Sequence, residues 1–222
     1  MLRISEFSIM KTIRNSTFLL LFCSLSVYSQ QADFQSWSSF KLSKKVYKRT
    51  NISVKEGVRF RENSSLIKKV FTDVKLSHRI KKTDLEISIG YRLADEYDIT
   101  FSSEYKYRYY CDFANDYKFK RFTFSFRERL QLQGKNTYFT TLFRQKLEMS
   151  YNVRKTPFKP YVQLELFINF DDQLEKMRYT AGFSHPLTKD LNATLFYRIQ
   201  QEFNTSIREN LFILGTSLSY KL

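Results

Sequence analysis

Apolar and polar residues alternate along most of this chain with a period of two. The final run shows it most cleanly. Phe212, Leu214, Thr216, Leu218, Tyr220 and Leu222 share one parity, and Ile213, Gly215, Ser217, Ser219 and Lys221 share the other. Successive side chains of a strand point to opposite sides, so each parity is one face. An amphipathic strand that runs to the last residue would leave an open edge in a soluble sheet. Pairing the last strand with the first removes that edge. The pattern predicts an all-β fold, a transmembrane antiparallel up-and-down β-barrel.

Ten further segments repeat the alternation, and none has a convincing 3.6-residue period. Leu85, Ile87, Ile89, Tyr91 and Leu93, for example, oppose Glu86, Ser88, Gly90 and Arg92. Pro157 and Pro160 are expected to break pairing at a turn. Short basic connections such as Lys81–Asp84 alternate with longer or more acidic ones such as Asp171–Lys176 and Gln201–Asn210. Bacterial barrels have short periplasmic turns and longer external loops, which puts the basic set and the C-terminus in the periplasm. Counting back from there, Ile52–Arg61 is the tenth strand and Phe34–Leu42 would be an eleventh. Single-chain bacterial barrels usually have an even count. Either the first segment tucks into the lumen or mouth, or the run Tyr97–Asn115 holds two strands, so ten and twelve strands both stay open.

The start of the chain reads as an export signal. Met10, Lys11 and Arg14 give a basic opening, Phe18–Val27 an apolar core, and Val27-Tyr28-Ser29 a small-residue cleavage site. Met10 is the more natural start, and the apolar core is half the ~20 residues that a membrane anchor needs. Residues 1–29 are then the signal peptide and residues 30–222 a single outer-membrane barrel domain. Cys23 leaves with the signal, so Cys111 has no partner and a disulfide framework is excluded. A formal charge of +15 often marks nucleic-acid binding. Here the basic residues are spread along alternating strands, and an exported protein meets little nucleic acid. Outer-membrane lipid, lipopolysaccharide phosphates and a basic lumen fit better, and the terminal face Leu214, Leu218, Tyr220 and Leu222 is the expected recognition strand for barrel-assembly machinery.

No Gly-x-Ser-x-Gly, His-Glu-x-x-His, Cys-x-x-Cys or phosphate-binding Gly loop occurs. The two histidines, His78 and His185, sit beside basic turns at the end assigned to the periplasm, away from where outer-leaflet lipid would enter. No catalytic residue, cofactor or metal is expected. The polar parity is richer in chemistry, with fifteen cations to six carboxylates. The lumen candidates are Arg59, Arg92, Arg108, Arg127, Arg129, Arg144, Arg178 and Arg198, with Glu86, Glu148 and Glu165. Rings of Arg select anions in a pore. In a barrel nearly filled by its side chains they could instead interlock with the carboxylates as a structural ladder. Glu56 and Glu128 fall on the apolar parity, where a bulge at Gly57 would turn Glu56 inward and a protomer contact would leave it outside.

Trp37, the strand end Val58-Arg59-Phe60-Arg61, Gly90-Tyr91-Arg92, Tyr107–Asp112 and Phe126-Arg127-Glu128-Arg129-Leu130-Gln131 resemble a family of Bacteroidota outer-membrane β-barrels known as a domain of unknown function. The resemblance implies location and fold, and no reaction or ligand. The sequence reading is thus an outer-membrane barrel with a structural or passive small-anion or solute-passage role. A lipid-modifying barrel enzyme and a soluble periplasmic β-sandwich binding protein are the alternatives.

Overall fold

The computed structural model describes residues 32–135, 138–170, 173–203 and 210–222. The expected signal segment, residues 1–29, lies outside the described residues.

Eleven strands run in chain order: β1 Ala32–Tyr47, β2 Thr50–Arg61, β3 Leu66–Arg79, β4 Leu85–Tyr97, β5 Ser103–Phe119, β6 Phe122–Lys135, β7 Tyr138–Tyr151, β8 Lys159–Asn169, β9 Gln173–Pro186, β10 Leu191–Glu202 and β11 Asn210–Lys221. Each pairs with its sequence neighbour antiparallel, and β11 returns to β1 to close a barrel. Ten reversals of direction between eleven strands leave the first and last running the same way, so the closing pair must be parallel. It is: Phe34 stands opposite Phe212, Ser38 opposite Thr216 and Leu42 opposite Tyr220. The even counts of ten or twelve are corrected to eleven. The segment around Trp37 neither plugs the lumen nor sits at its mouth, because it is a full strand of the wall. The run Tyr97–Asn115 hides no extra strand, since a turn divides it between β4 and β5.

Parallel pairing is slightly weaker per residue than antiparallel. The seam adds side-chain bonds on both of its faces. Ser38 Oγ lies 3.1 Å from Thr216 Oγ1 outside, and Ser39 donates to Ser217 Oγ at 3.1 Å inside. Trp37, Leu211 and Ile213 pack together on the inner face, with Phe196 against them.

The partition is inside-out. Buried positions include Gln35, Asp112, Arg129, Gln131, Arg144 and Glu165, while Phe40, Val54, Leu76, Ile89, Phe126 and Leu147 are exposed on the outer wall. A two-sheet sandwich would bury that apolar parity as its core, so the sandwich alternative is overturned by the closed topology.

The chain's few glycines are not used for turns. Among the described residues, seven non-glycine residues take the left-handed conformation instead, including Asn63, Lys82, Phe101, Lys120 and Lys155, and no glycine does. One such turn is held by Asp98, whose Oδ1 accepts the Thr100 hydroxyl (2.7 Å) and the Thr100 and Ser102 amides (2.8 and 2.9 Å). These bonds, the Thr100 hydroxyl first, keep the exposed Asp98 carboxyl below its usual range. The five glycines lie in strands, and rings cover three of them. A Cβ built on Gly57 would clash with the Phe71 ring, one on Gly90 with the Tyr110 ring, and one on Gly215 with the Phe196 ring. Gly57 and Phe71, Gly90 and Tyr110, and Phe196 and Gly215 are cross-strand partners.

Two expectations need correction. Pro160 is the second residue of β8, opposite Phe183, and not part of the turn. No register shift occurs at Gly57. The β2–β3 irregularity lies between Arg59 and Phe60, so Glu56 stays on the outer face and accepts the Thr72 hydroxyl at 2.9 Å. Glu128 keeps the outer parity too, opposite Phe113 and Gln145.

Candidate functional site

Period two on eleven neighbouring strands aims one long side chain from nearly every strand at the barrel axis. The result is a cavity of about 820 Å³. It reaches Lys68, Glu96, Lys106, Lys135 and Glu202 at one end and Lys41, Lys75 and Lys146 toward the other. All eight candidate arginines, Arg59, Arg92, Arg108, Arg127, Arg129, Arg144, Arg178 and Arg198, line it, as does Glu165.

The arginines divide into two sets. In the first, each guanidinium has a carboxylate. Arg92 Nε donates to Asp73 Oδ2 at 2.8 Å. Arg129 grips Asp112 with two parallel bonds, 2.6 and 2.8 Å. Such bidentate charge-assisted pairs fix geometry as well as adding energy. Glu165, only 3% exposed, is shared by three partners. Its Oε1 accepts Arg144 Nη2 at 2.7 Å and Arg127 Nη2 at 2.9 Å, and its Oε2 accepts Arg178 Nη1 at 3.4 Å.

In the second set, Arg59, Arg108 and Arg198 have no carboxylate within 4.0 Å among the described residues. Arg108 donates to Gln133 Oε1 (2.7 Å), and its Nε is buried with no partner. Arg198 donates to Thr180 Oγ1 at 2.9 Å. Arg59 stacks on Trp37, its guanidinium carbon 3.8 Å from the ring centroid. Both uses of arginine foreseen from the sequence, interlocked ladder and free basic lining, are therefore present in one wall.

Two of the candidate carboxylates lie elsewhere. Glu86 pairs with Lys75 (3.5 Å) and Arg79 (3.9 Å), and Glu148 with Lys146 (2.9 Å), and neither lines the cavity. Asp73 and Asp112 take the arginines in their place. The sequence reading also missed the inward-facing rings on which the arginines stack. Phe71 lies under Arg92 (4.1 Å), Tyr110 under Arg129 (3.7 Å), and Phe167 under Arg144 and Arg178 (4.3 and 4.4 Å). The available signal was parity: Phe71, Tyr110, Phe167 and Phe196 each sit at the polar position of an otherwise apolar run.

The other candidates are placed as follows. Leu214, Leu218 and Tyr220 lie on the outer face of β11. Leu222 follows the strand and donates its amide to the Ser43 carbonyl (2.8 Å). His78 Nδ1 lies 2.9 Å from Thr50 Oγ1 at the rim, and His185 stands opposite Ala193. Among the described residues no three His, Cys, Asp or Glu side chains group as a metal site.

The span from β1 to the first residue of β11 matches a known family. Residues 34–210 fit the family described as a protein of unknown function, DUF2490. The chain belongs to that family. The DUF2490 match takes in Trp37 and every one of the eight arginines, and stops before the outer face of β11. No curated protein matches the chain.

Proposed function

We propose that this DUF2490 barrel resides in the bacterial outer membrane and gives small anions or anionic solutes a passive route, without catalysis. One observation carries the reading: Arg59, Arg108 and Arg198 face a cavity of about 820 Å³ with no carboxylate within 4.0 Å of them among the described residues. Cations lining a narrow, low-dielectric passage act on every ion that enters.

Membrane residence is supported by the exposed apolar wall and by aromatic residues at both of its ends. Tyr47, Tyr117 and Phe119 stand out at the end where β1 and β11 finish, and Phe101, Tyr105, Tyr138 and Phe170 at the other. Aromatic girdles at both interfaces are the mark of outer-membrane barrels. Outer-membrane placement rests on the signal-like N-terminus and the resemblance to Bacteroidota barrels. Lipid, lipopolysaccharide and the barrel-assembly machinery are the corresponding partners, the last through Leu214, Leu218, Tyr220 and Leu222. With the C-terminus in the periplasm, the basic turns at Lys48-Arg49, Lys81-Lys82 and Lys120-Arg121 lie on that side, and Ala32 starts at the external rim.

The test is the reversal potential of the refolded mature chain in a planar bilayer under a potassium chloride gradient. The expected sign is anion-selective, and replacing Arg59, Arg108 and Arg198 together with Gln should shift it toward zero selectivity. Cation selectivity, or no conductance at all, would overturn the passage and leave a purely structural barrel.

A further inference from the structure

Three guanidiniums converge on one indole. Besides Arg59 at 3.8 Å, Arg198 lies 5.3 Å and Arg178 5.4 Å from the Trp37 ring centroid. They arrive from β2, β10 and β9, on both sides of the parallel seam. The indole itself is fixed: its Nε1–H donates to Gln35 Oε1 (3.1 Å), Gln35 Nε2 donates to Asp33 Oδ2 (2.7 Å), and Leu211 and Ile213 pack beside the ring.

The counter-charge is deficient. Arg178 reaches Glu165 only through the long 3.4 Å bond, and Arg127 and Arg144 hold the other oxygen of that carboxylate. Arg198 spends its Nε on a neutral hydroxyl, and Arg59 has no carboxylate within 4.0 Å among the described residues. Like charges gathered around one ring repel unless water or an anion screens them. A ring face beneath a guanidinium relieves part of that cost.

The geometry points to a binding site for a doubly charged tetrahedral oxyanion, of the phosphate or sulfate type, where Arg59, Arg178 and Arg198 meet over Trp37. Guanidinium forks match such oxygens edge-on. Arg59 and Arg198 each keep a fork for one edge of a tetrahedral anion. Arg178 adds its Nη2, since its Nε donates to Gln200 Oε1 (2.6 Å) and its Nη1 to Glu165. A planar carboxylate presents its two oxygens along one edge only. The site deepens the proposed anion route by naming its ligand class. It needs only an interior that solutes can reach, so it stands or falls separately from passage.

Trp37 is the single tryptophan of the chain, and its emission reports this site alone. The refolded mature barrel in neutral detergent would be titrated with sodium phosphate and with sodium sulfate, against sodium chloride and acetate at equal ionic strength. Calorimetry in the same buffers covers a spectrally silent ligand. The expected result is a saturable response to phosphate or sulfate that chloride and acetate do not give. Arg198→Gln should weaken the apparent Kd at least tenfold, and Arg198→Lys less, with heat-modifiable gel mobility confirming the fold. Should Arg198→Gln not fold, Arg59→Gln takes its place with the same expectation. A response equal for all four anions, or no response by either method, would overturn the site, as would an unchanged Kd in the folded variant. Saturation in a barrel that does not conduct keeps the site and removes the route. Selective conductance without saturation keeps the route and removes the site.

Discussion

Glu165→Gln is expected to destabilise the barrel by about 3–5 kcal/mol, the usual cost of removing one partner from a buried ion pair. The substitution keeps shape and one acceptor but takes the charge from a group that holds Arg127, Arg144 and Arg178 at once. Arg144 and Arg178 are themselves nearly buried, with side chains 8% and 11% exposed. Arg127, at 25%, can recover some hydration. Urea unfolding of the refolded protein in detergent measures the effect, and the heat-modifiable transition should fall with it. Unchanged stability would mean that solvent already screens these cations. Glu148→Gln, at a carboxylate paired with a single Lys and partly exposed, should cost far less.

Gly90→Val should have the next largest effect, about 1–3 kcal/mol by overpacking. Gly90 lets the Tyr110 ring lie across the wall. From there the Tyr110 hydroxyl donates to Asp73 Oδ1 (2.7 Å), and the ring lies 3.7 Å from the Arg129 guanidinium. A side chain at Gly90 expels the ring, which breaks that bond and loosens the Asp73–Arg92 pair beside it. Emptying the ring's place should then compensate. Gly90→Val with Tyr110→Ala is expected to be less destabilised than the sum of the two single variants, and simple additivity would show that the two positions do not compete for space.

Alternation made the wall legible, because a strand's period is a local property. Phe212 to Leu222 announced both faces of β11, and the Leu85–Leu93 run those of β4. The odd strand count was within reach of the same pattern. Phe34–Leu42 alternates as well as any other run, and only the expectation of an even number argued against it. What remained hidden depends on register between strands. Arg127 on β6 meets Glu165 on β8, two strands away, and no spacing along the chain indicates that. Glu86 and Glu148 carry the right parity, yet Glu86 meets Lys75 and Arg79 of the adjacent β3, and Glu148 meets Lys146 two residues back on its own strand. The rings over glycines had a signal in principle, a Gly opposite an aromatic at polar parity, but it can be read only once the strands are aligned.

The parallel seam is the feature on which the rest depends, since it places Trp37 among the arginines of β2, β9 and β10. Disulfide trapping tests it directly in a Cys111→Ala background. Ser38 opposite Thr216 is the pivot, with Phe34 paired to Phe212 on one side and Leu42 to Tyr220 on the other. Partners in adjacent strands lie about 5 Å apart, within disulfide reach. Mild oxidation of the folded barrel should cross-link Phe34→Cys with Phe212→Cys, and Leu42→Cys with Tyr220→Cys, as gel shifts reversed by reductant. Cross-linking of Phe34→Cys with Tyr220→Cys and of Leu42→Cys with Phe212→Cys would mean an antiparallel closure, and would contradict the eleven-stranded barrel.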